Sequence, residues 1–166
     1  RALKDIAEKH KVEYHGSAVG EKNVVEKMKE VNAVIGGEGS GGIIYPELHY
    51  GRDALVGIAL FLSHLAKSNS AAEELRSRYT NYFMSKQKIS LPEMESVANI
   101  LPSFAISYNE YEVSTIDGVR VDFEESWVHV RASNTEPILR IYSEAPTQDE
   151  ADELAERIIR EINELL

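Results

Sequence analysis

An arginine, two hydroxyls and a carboxamide fall close together at Arg131, Ser133, Asn134 and Thr135, within Arg131-Ala132-Ser133-Asn134-Thr135-Glu136-Pro137. A guanidinium presents its N–H donors in a fixed plane that suits a phosphate dianion. Successive backbone N–H groups in a turn form an anion-binding concavity. The chemistry open to this set is to grip a phosphate. The same residues also fit an ordinary hairpin loop, because Ser, Asn, Thr and Pro are common turn formers. On composition alone the two readings stand level. Glu136 is placed to orient the loop. Arg140 could reach the same anion or pair with Glu144, which shares its face of a strand.

A second group is Gly37-Glu38-Gly39-Ser40-Gly41-Gly42. Glu38 can accept from two vicinal hydroxyls, Ser40 can donate and accept, and Gly39 lets backbone approach a ligand closely. That combination suits a hexose. A dinucleotide fingerprint is the rival, but its spacing is absent and no helix is expected directly after the glycines. On the residues alone, a glycine loop without a ligand is the stronger reading. Lys22 could meet a sugar phosphate or hydroxyl, although a solvated lysine at a helix start weighs more. His49 and Arg52, just downstream of the glycine loop, are candidate substrate contacts. Asp53 reads as a helix cap. His15, His64 and His129 are isolated and show no metal spacing.

Both segments resemble a known family. Arg131 to Arg140, continuing to Glu144-Ala145, is similar to the phosphate-binding loop in the last domain of the α-D-phosphohexomutases. Gly37 to Gly42 resembles the sugar-binding loop of that family's third domain. The order matches the family's, and the resemblance covers most of the chain. It implies that Arg131, Ser133, Asn134 and Thr135 contact the phosphate, and that Glu38, Gly39 and Ser40 contact sugar hydroxyls. The Lys22 loop lies where the family has another substrate-facing loop. Many members carry His where this chain has Gly42, so that histidine's role does not transfer. A glycine there is similar to the archaeal branch.

The implied reaction interconverts hexose 1- and 6-phosphates through an active-site phosphoserine and a bisphosphate intermediate. A magnesium ion on an Asp-Gly-Asp-type loop stabilises the transferring charge. The serine and metal loops belong to the family's first two domains, and neither motif occurs here. Asp117-Gly118 is followed by Val119 and makes no metal loop. The expectation is therefore a third domain over 1–80 and a fourth over 81–166, cut from a longer polypeptide. Such a chain binds hexose phosphates of mannose, glucose or glucosamine, holds no magnesium itself, and transfers no phosphate alone. The alternatives are a non-catalytic sugar-phosphate-binding module, a phosphoglucosamine mutase as parent, or a structural α/β protein whose loops only resemble the motifs.

The composition narrows the partners. A formal charge of −10 argues against nucleic acid or an anionic membrane as the main partner. The absence of cysteine excludes disulfides, thiol catalysis and cysteine metal sites. It also fits a cytoplasmic protein. Ala54–Leu65, the longest apolar candidate, contains His64 and is too short to span a bilayer. No signal peptide is visible, and the chain begins with Arg1.

The elements that must hold these loops follow from periodicity. Helical spacing covers 1–11, 22–31 and 53–67, the last capped by Asp53 with Leu55, Val56, Ala59, Leu60 and Leu62 inside. Short strands are expected at Val12–His15 and Ala33–Ile35, giving a parallel α/β unit with a mixed sheet and helices on both sides. A short helix follows over 71–79. Residues 80–87 show no clear periodicity; the junction is placed there, as a hinge that lets both loops close on one ligand. Pro92 starts a helix to about Leu101. Strands at 111–116, 119–123, 127–131 and 138–143 then build an antiparallel sheet, with Asp117-Gly118 as a hairpin turn. Thr147 caps a final helix, so the second half is an α+β domain packed by helices.

Overall fold

Helix ends form where the sequence supplies capping groups. Asp53 Oδ1 accepts from the Val56 N–H at 2.9 Å and starts a helix. Thr147 and Glu150 make a reciprocal capping box: the Glu150 N–H donates to Thr147 Oγ1 at 3.2 Å, and Glu150 Oε2 accepts the Thr147 N–H at 3.1 Å. Asn32 and Asn69 close two helices in the left-handed conformation that asparagine tolerates. The computed structural model describes residues 1–91, 97–133 and 136–165. The chain divides into two units, Ala2–Thr80 and Asn81–Leu166, with Arg1 grouped with the latter.

The first unit runs α1 (Ala2–His10), α2 (Glu21–Val31), β1 (Gly36–Gly37), β2 (Ile43–Tyr45), β3 (His49–Arg52), α3 (Ala54–Ser68) and α4 (Ala72–Ser77). It pairs helices with a sheet, but the three strands, in order β1-β2-β3, run antiparallel rather than in parallel or mixed directions. Val12–His15 forms no strand. The strand expected at Ala33–Ile35 begins instead at Gly36, and Val34 and Ile35 stay exposed. The local reason is that Asn32 takes the left-handed conformation after α2, and the chain bends before it can pair. Helix α3 forms as expected, yet none of its residues is buried and Leu55 is 78% exposed. Its apolar residues occur all round, whereas a short three-stranded sheet covers only a strip.

The second unit runs β4 (Phe83–Ser90), α5 (Val97–Ser107), β5 (Glu112–Ser114), β6 (Val119–Asp122), β7 (Trp127–Ala132), β8 (Ile138–Ala145) and α6 (Gln148–Leu165). The stretch from Phe83, aperiodic as sequence, is a full strand here. The expected start at Pro92 lies outside the described residues, and α5 continues six residues past Leu101 to Ser107. The five strands form an antiparallel sheet in order β4-β8-β7-β6-β5. In β8, buried and half-buried residues alternate without a break. Leu139 and Ile141 join Val128, Val130, Val119 and Val121 against Phe104, Ile158 and Ile162 from α5 and α6. The alternate residues of β8, including Arg140, face away from that core. Among the described residues, no helix is long and apolar enough to cross a membrane.

Candidate functional site

The glycine segment folds as a tight turn between β1 and β2. The Glu38 N–H donates to Gly42 O at 3.0 Å, and the Gly41 N–H donates to Glu38 O at 2.9 Å. Gly39 and Ser40 are exposed at its tip. The Glu38 side chain is 19% exposed and pairs with Arg52, Nη1 lying 3.2 Å from Oε2. Arg52, at the end of β3, is gripped from the other side by Glu21. Its Nε donates to Glu21 Oε2 at 2.9 Å and its backbone N–H to Glu21 Oε1 at 3.0 Å. These donors, the backbone N–H first, hold the Glu21 carboxyl below its ordinary range. Gly42 leaves room for the Arg52 stem: a Cβ there would lie 2.6 Å from Arg52 Cδ.

His49 places Nε2 3.1 Å from Asp53 Oδ2, the carboxylate that caps α3. The Val56 N–H and then His49 lower the Asp53 pKa. Lys22 points elsewhere: it is 86% exposed and lies 3.7 Å from Glu26, one turn along α2. The fold thus brings Glu38 and Arg52 together and ties His49 to Asp53. Sequence reasoning missed Glu21, which read only as the last residue of the loop before α2, whereas it is the first residue of that helix.

Arg131 lies near the end of β7 on the face of the sheet away from the core. Its Nη1 is 3.3 Å from Asp117 Oδ2, at the β5–β6 turn. Its Nε is buried without a hydrogen-bond partner among the described residues. Asp117 also accepts, through its backbone oxygen, a hydrogen bond from His129. Burial is the main cause that pushes the His129 pKa down. Gly118 packs against the strand, since a Cβ there would meet Val130 O at 2.3 Å and Arg131 Cα at 2.9 Å.

Arg140 stands directly opposite Arg131 in the β7–β8 ladder, and Lys88 stands opposite Arg140 in β4. Directly paired residues share a face. Three cationic side chains therefore form one row beside the loop. Ser133 is buried, and its N–H donates to Ile138 O at 3.0 Å, closing the base of the loop. Asn134 and Thr135 lie outside the described residues. Asp117 and Lys88 had no place in the sequence reading of this site, and Arg140 had only a secondary one. The signal for Asp117 was there as Asp-Gly, but it spoke only of a turn. The cationic row appears once the strand register is known. Among the described residues, no three His, Asp or Glu side chains converge to hold a metal.

Comparison with known proteins gives these loops a context. The family pattern described as phosphoglucomutase/phosphomannomutase, alpha/beta/alpha domain III, matches residues 1–82. The pattern for the phosphoglucomutase/phosphomannomutase C-terminal domain matches residues 68–161. A phosphoglucomutase/phosphomannomutase of Thermococcus kodakarensis is 34% identical over 99% of this chain and 36% of its own length. A phosphoglucosamine/phosphogalactosamine mutase of Sulfurisphaera tokodaii is 32% identical over 94% of this chain and 35% of its own length. The crystal structure of a phosphoglucomutase/phosphomannomutase family protein from Burkholderia thailandensis superposes with a TM-score of 0.79 at 25% identity, over 99% of this chain and 35% of that one. The chain thus spans about a third of the length of these relatives. With the C-terminal-domain pattern alone matching more than half of it, the chain belongs to the phosphoglucomutase/phosphomannomutase family.

Proposed function

We propose that this chain is the substrate-binding C-terminal portion of a cytoplasmic phosphohexomutase, an isomerase that interconverts hexose 1-phosphate and hexose 6-phosphate. The observation that carries the reading is the surroundings of Arg131. Beside its Asp117 contact, Arg131 keeps a buried guanidinium nitrogen with no partner among the described residues, and a second arginine stands directly across the sheet. A buried donor left unpaired is costly, and like charges facing each other on a sheet repel. A phosphate dianion answers both. Arg131 anchors the non-transferring phosphate, with Arg140 beside it and Ser133, Asn134 and Thr135 contributing the loop. Glu38 accepts from vicinal sugar hydroxyls, with Ser40 and Gly39 at the same turn.

The phosphoserine and the magnesium that stabilises the transferring charge belong to other domains of the parent polypeptide. Among the described residues, the arginine, hydroxyl and carboxylate groups of these loops make no cluster that would hold a metal. This chain binds and orients; the isolated chain does not transfer phosphate. The exposed, all-round apolar helix α3 supports a larger polypeptide that covers it. Mannose, glucose and glucosamine phosphates all fit a Glu and a Ser, because the first two differ in the orientation of one hydroxyl and the third replaces that hydroxyl with an amine, which can also donate to a carboxylate. Rates of the full-length protein on the three 1-phosphates test the assignment. Conversion of at least one supports a mutase. Binding without conversion by the full-length protein supports a sugar-phosphate-binding module instead.

A further inference from the structure

We propose that Arg52 is the positioning residue of the sugar loop, gripped by Glu21 so that it holds the Glu38 carboxylate in one orientation while its own stem fills the space over Gly42. The inference rests on the reading of Glu38 as the hydroxyl acceptor. It replaces the simpler expectation that Arg52 meets the sugar itself.

Three contacts carry it. Arg52 uses Nε and its backbone N–H on the two oxygens of Glu21, at 2.9 and 3.0 Å. That leaves Nη1 for Glu38, at 3.2 Å. A planar guanidinium can serve two carboxylates on different edges at once, which an ammonium on a flexible stem does with less definition. The three groups come from distant parts of the chain: the first turn of α2, the end of β3, and the turn after β1. Without the cation, two carboxylates would converge unscreened. Gly42 completes the arrangement, because a Cβ there would also lie 3.1 Å from Arg52 Cγ. Residue 42 and the Arg52 stem compete for one volume, and here the stem has it.

A residue that only orients Glu38 acts equally on bound substrate and transition state, because the sugar hydroxyls Glu38 meets are not the reacting atoms. Its loss therefore belongs in KM rather than kcat. The test uses the full-length protein that carries this chain, with initial rates on glucose 1-phosphate and mannose 1-phosphate. The variants are E38A, R52A, the double variant, R52K and E21Q. R52A is expected to raise KM about tenfold with kcat changed less than about twofold. The double variant should be no worse than E38A alone, since Arg52 acts only through Glu38. R52K should recover part of the loss, and E21Q should raise KM in the same sense but by less. If the losses of E38A and R52A multiply in the double variant, Arg52 meets the substrate itself and the proposal fails. Wild-type KM in R52A also overturns it. Should R52A fail to fold, E21Q decides, and a wild-type KM there refutes the relay. A wild-type KM in E38A is a separate result, because it removes the sugar-site reading and this inference together.

Discussion

Gly118→Ala strikes the turn that seats Arg131, and its cost can be assembled from the structure. Gly118 has φ +70°, where an L-residue pays about 1–2 kcal/mol. The new Cβ would sit 2.3 Å from Val130 O and 2.9 Å from Arg131 Cβ. Those neighbours belong to β7, a strand paired on both sides, so it is the turn that must give way. Moving it loosens the Asp117 contacts with Arg131 and His129, worth roughly 1 kcal/mol each at these partly exposed positions. The sum is about 3–4 kcal/mol, a large part of the roughly 5–15 kcal/mol that holds a domain together. Trp127 is the sole tryptophan of this chain and is buried in β7, so its fluorescence reports the second unit. In urea the midpoint should fall by roughly 2 M. Gly16→Ala is the control, because a Cβ there meets nothing within 4 Å and the backbone is unstrained. Phosphate affinity should fall with the Gly118 change, since Arg131 loses its seat. Equal midpoints for the two variants, with unchanged phosphate affinity, would refute the reasoning.

Arg131→Lys keeps the charge but loses the planar fork, so affinity for hexose phosphates should fall roughly tenfold, alike for glucose, mannose and glucosamine. A loss confined to one of these sugars in calorimetric titrations would contradict a phosphate role. Glu38→Ala in the full-length protein should cost roughly 1.5–3 kcal/mol in kcat/KM. Gly39→Ala, whose Cβ meets nothing within 4 Å, should cost far less; equal effects would remove Glu38 as a ligand. His129 has a folded pKa below its ordinary 6.5, so the unfolded chain binds more protons as pH falls through that value. The second unit should therefore lose stability on acidification below about pH 6.5, and His129→Gln should flatten the profile; an unchanged profile in that variant counts against it. The purified chain alone should show no mutase activity, and genuine turnover of mannose 1-phosphate by it would sink the two-domain assignment.

The second unit was legible because its periodicities are strong. Asp117-Gly118 marked the hairpin, Leu139-Arg140-Ile141 alternates apolar and polar at the centre of β8, and α6 carries a clear apolar face behind a capping box. Phe83–Ser90 was not legible, because Lys86, Gln87 and Lys88 hide the alternation that pairing with β8 imposes. The first unit misled at Ala33–Ile35, where three apolar residues look like a buried strand. The ladder there is made by two glycines, which carry no pattern to read. The site followed the same division. Arg131, Glu38 and Arg52 stood out by residue type, and their partners did not. Glu21 lies 31 positions from Arg52, and Asp117 lies 14 from Arg131. Such pairings depend on the folded path, and no local spacing announces them.

On the proposed phosphate grip, the row of Lys88, Arg140 and Arg131 would also make the stability of the second unit respond to anions. Asp117 offsets Arg131 in part, but neighbouring cations on one sheet face still repel, and an anion bound among them would relieve that repulsion. Binding to the folded form alone shifts the unfolding equilibrium by mass action. Melting temperature should accordingly climb with added sulfate or phosphate well beyond the rise that chloride gives at equal ionic strength. Inorganic phosphate should for the same reason compete with the sugar phosphate. On the proposed function, the full-length protein should therefore slow as free phosphate is added and recover as it is removed, through the same residues that would grip the sugar phosphate.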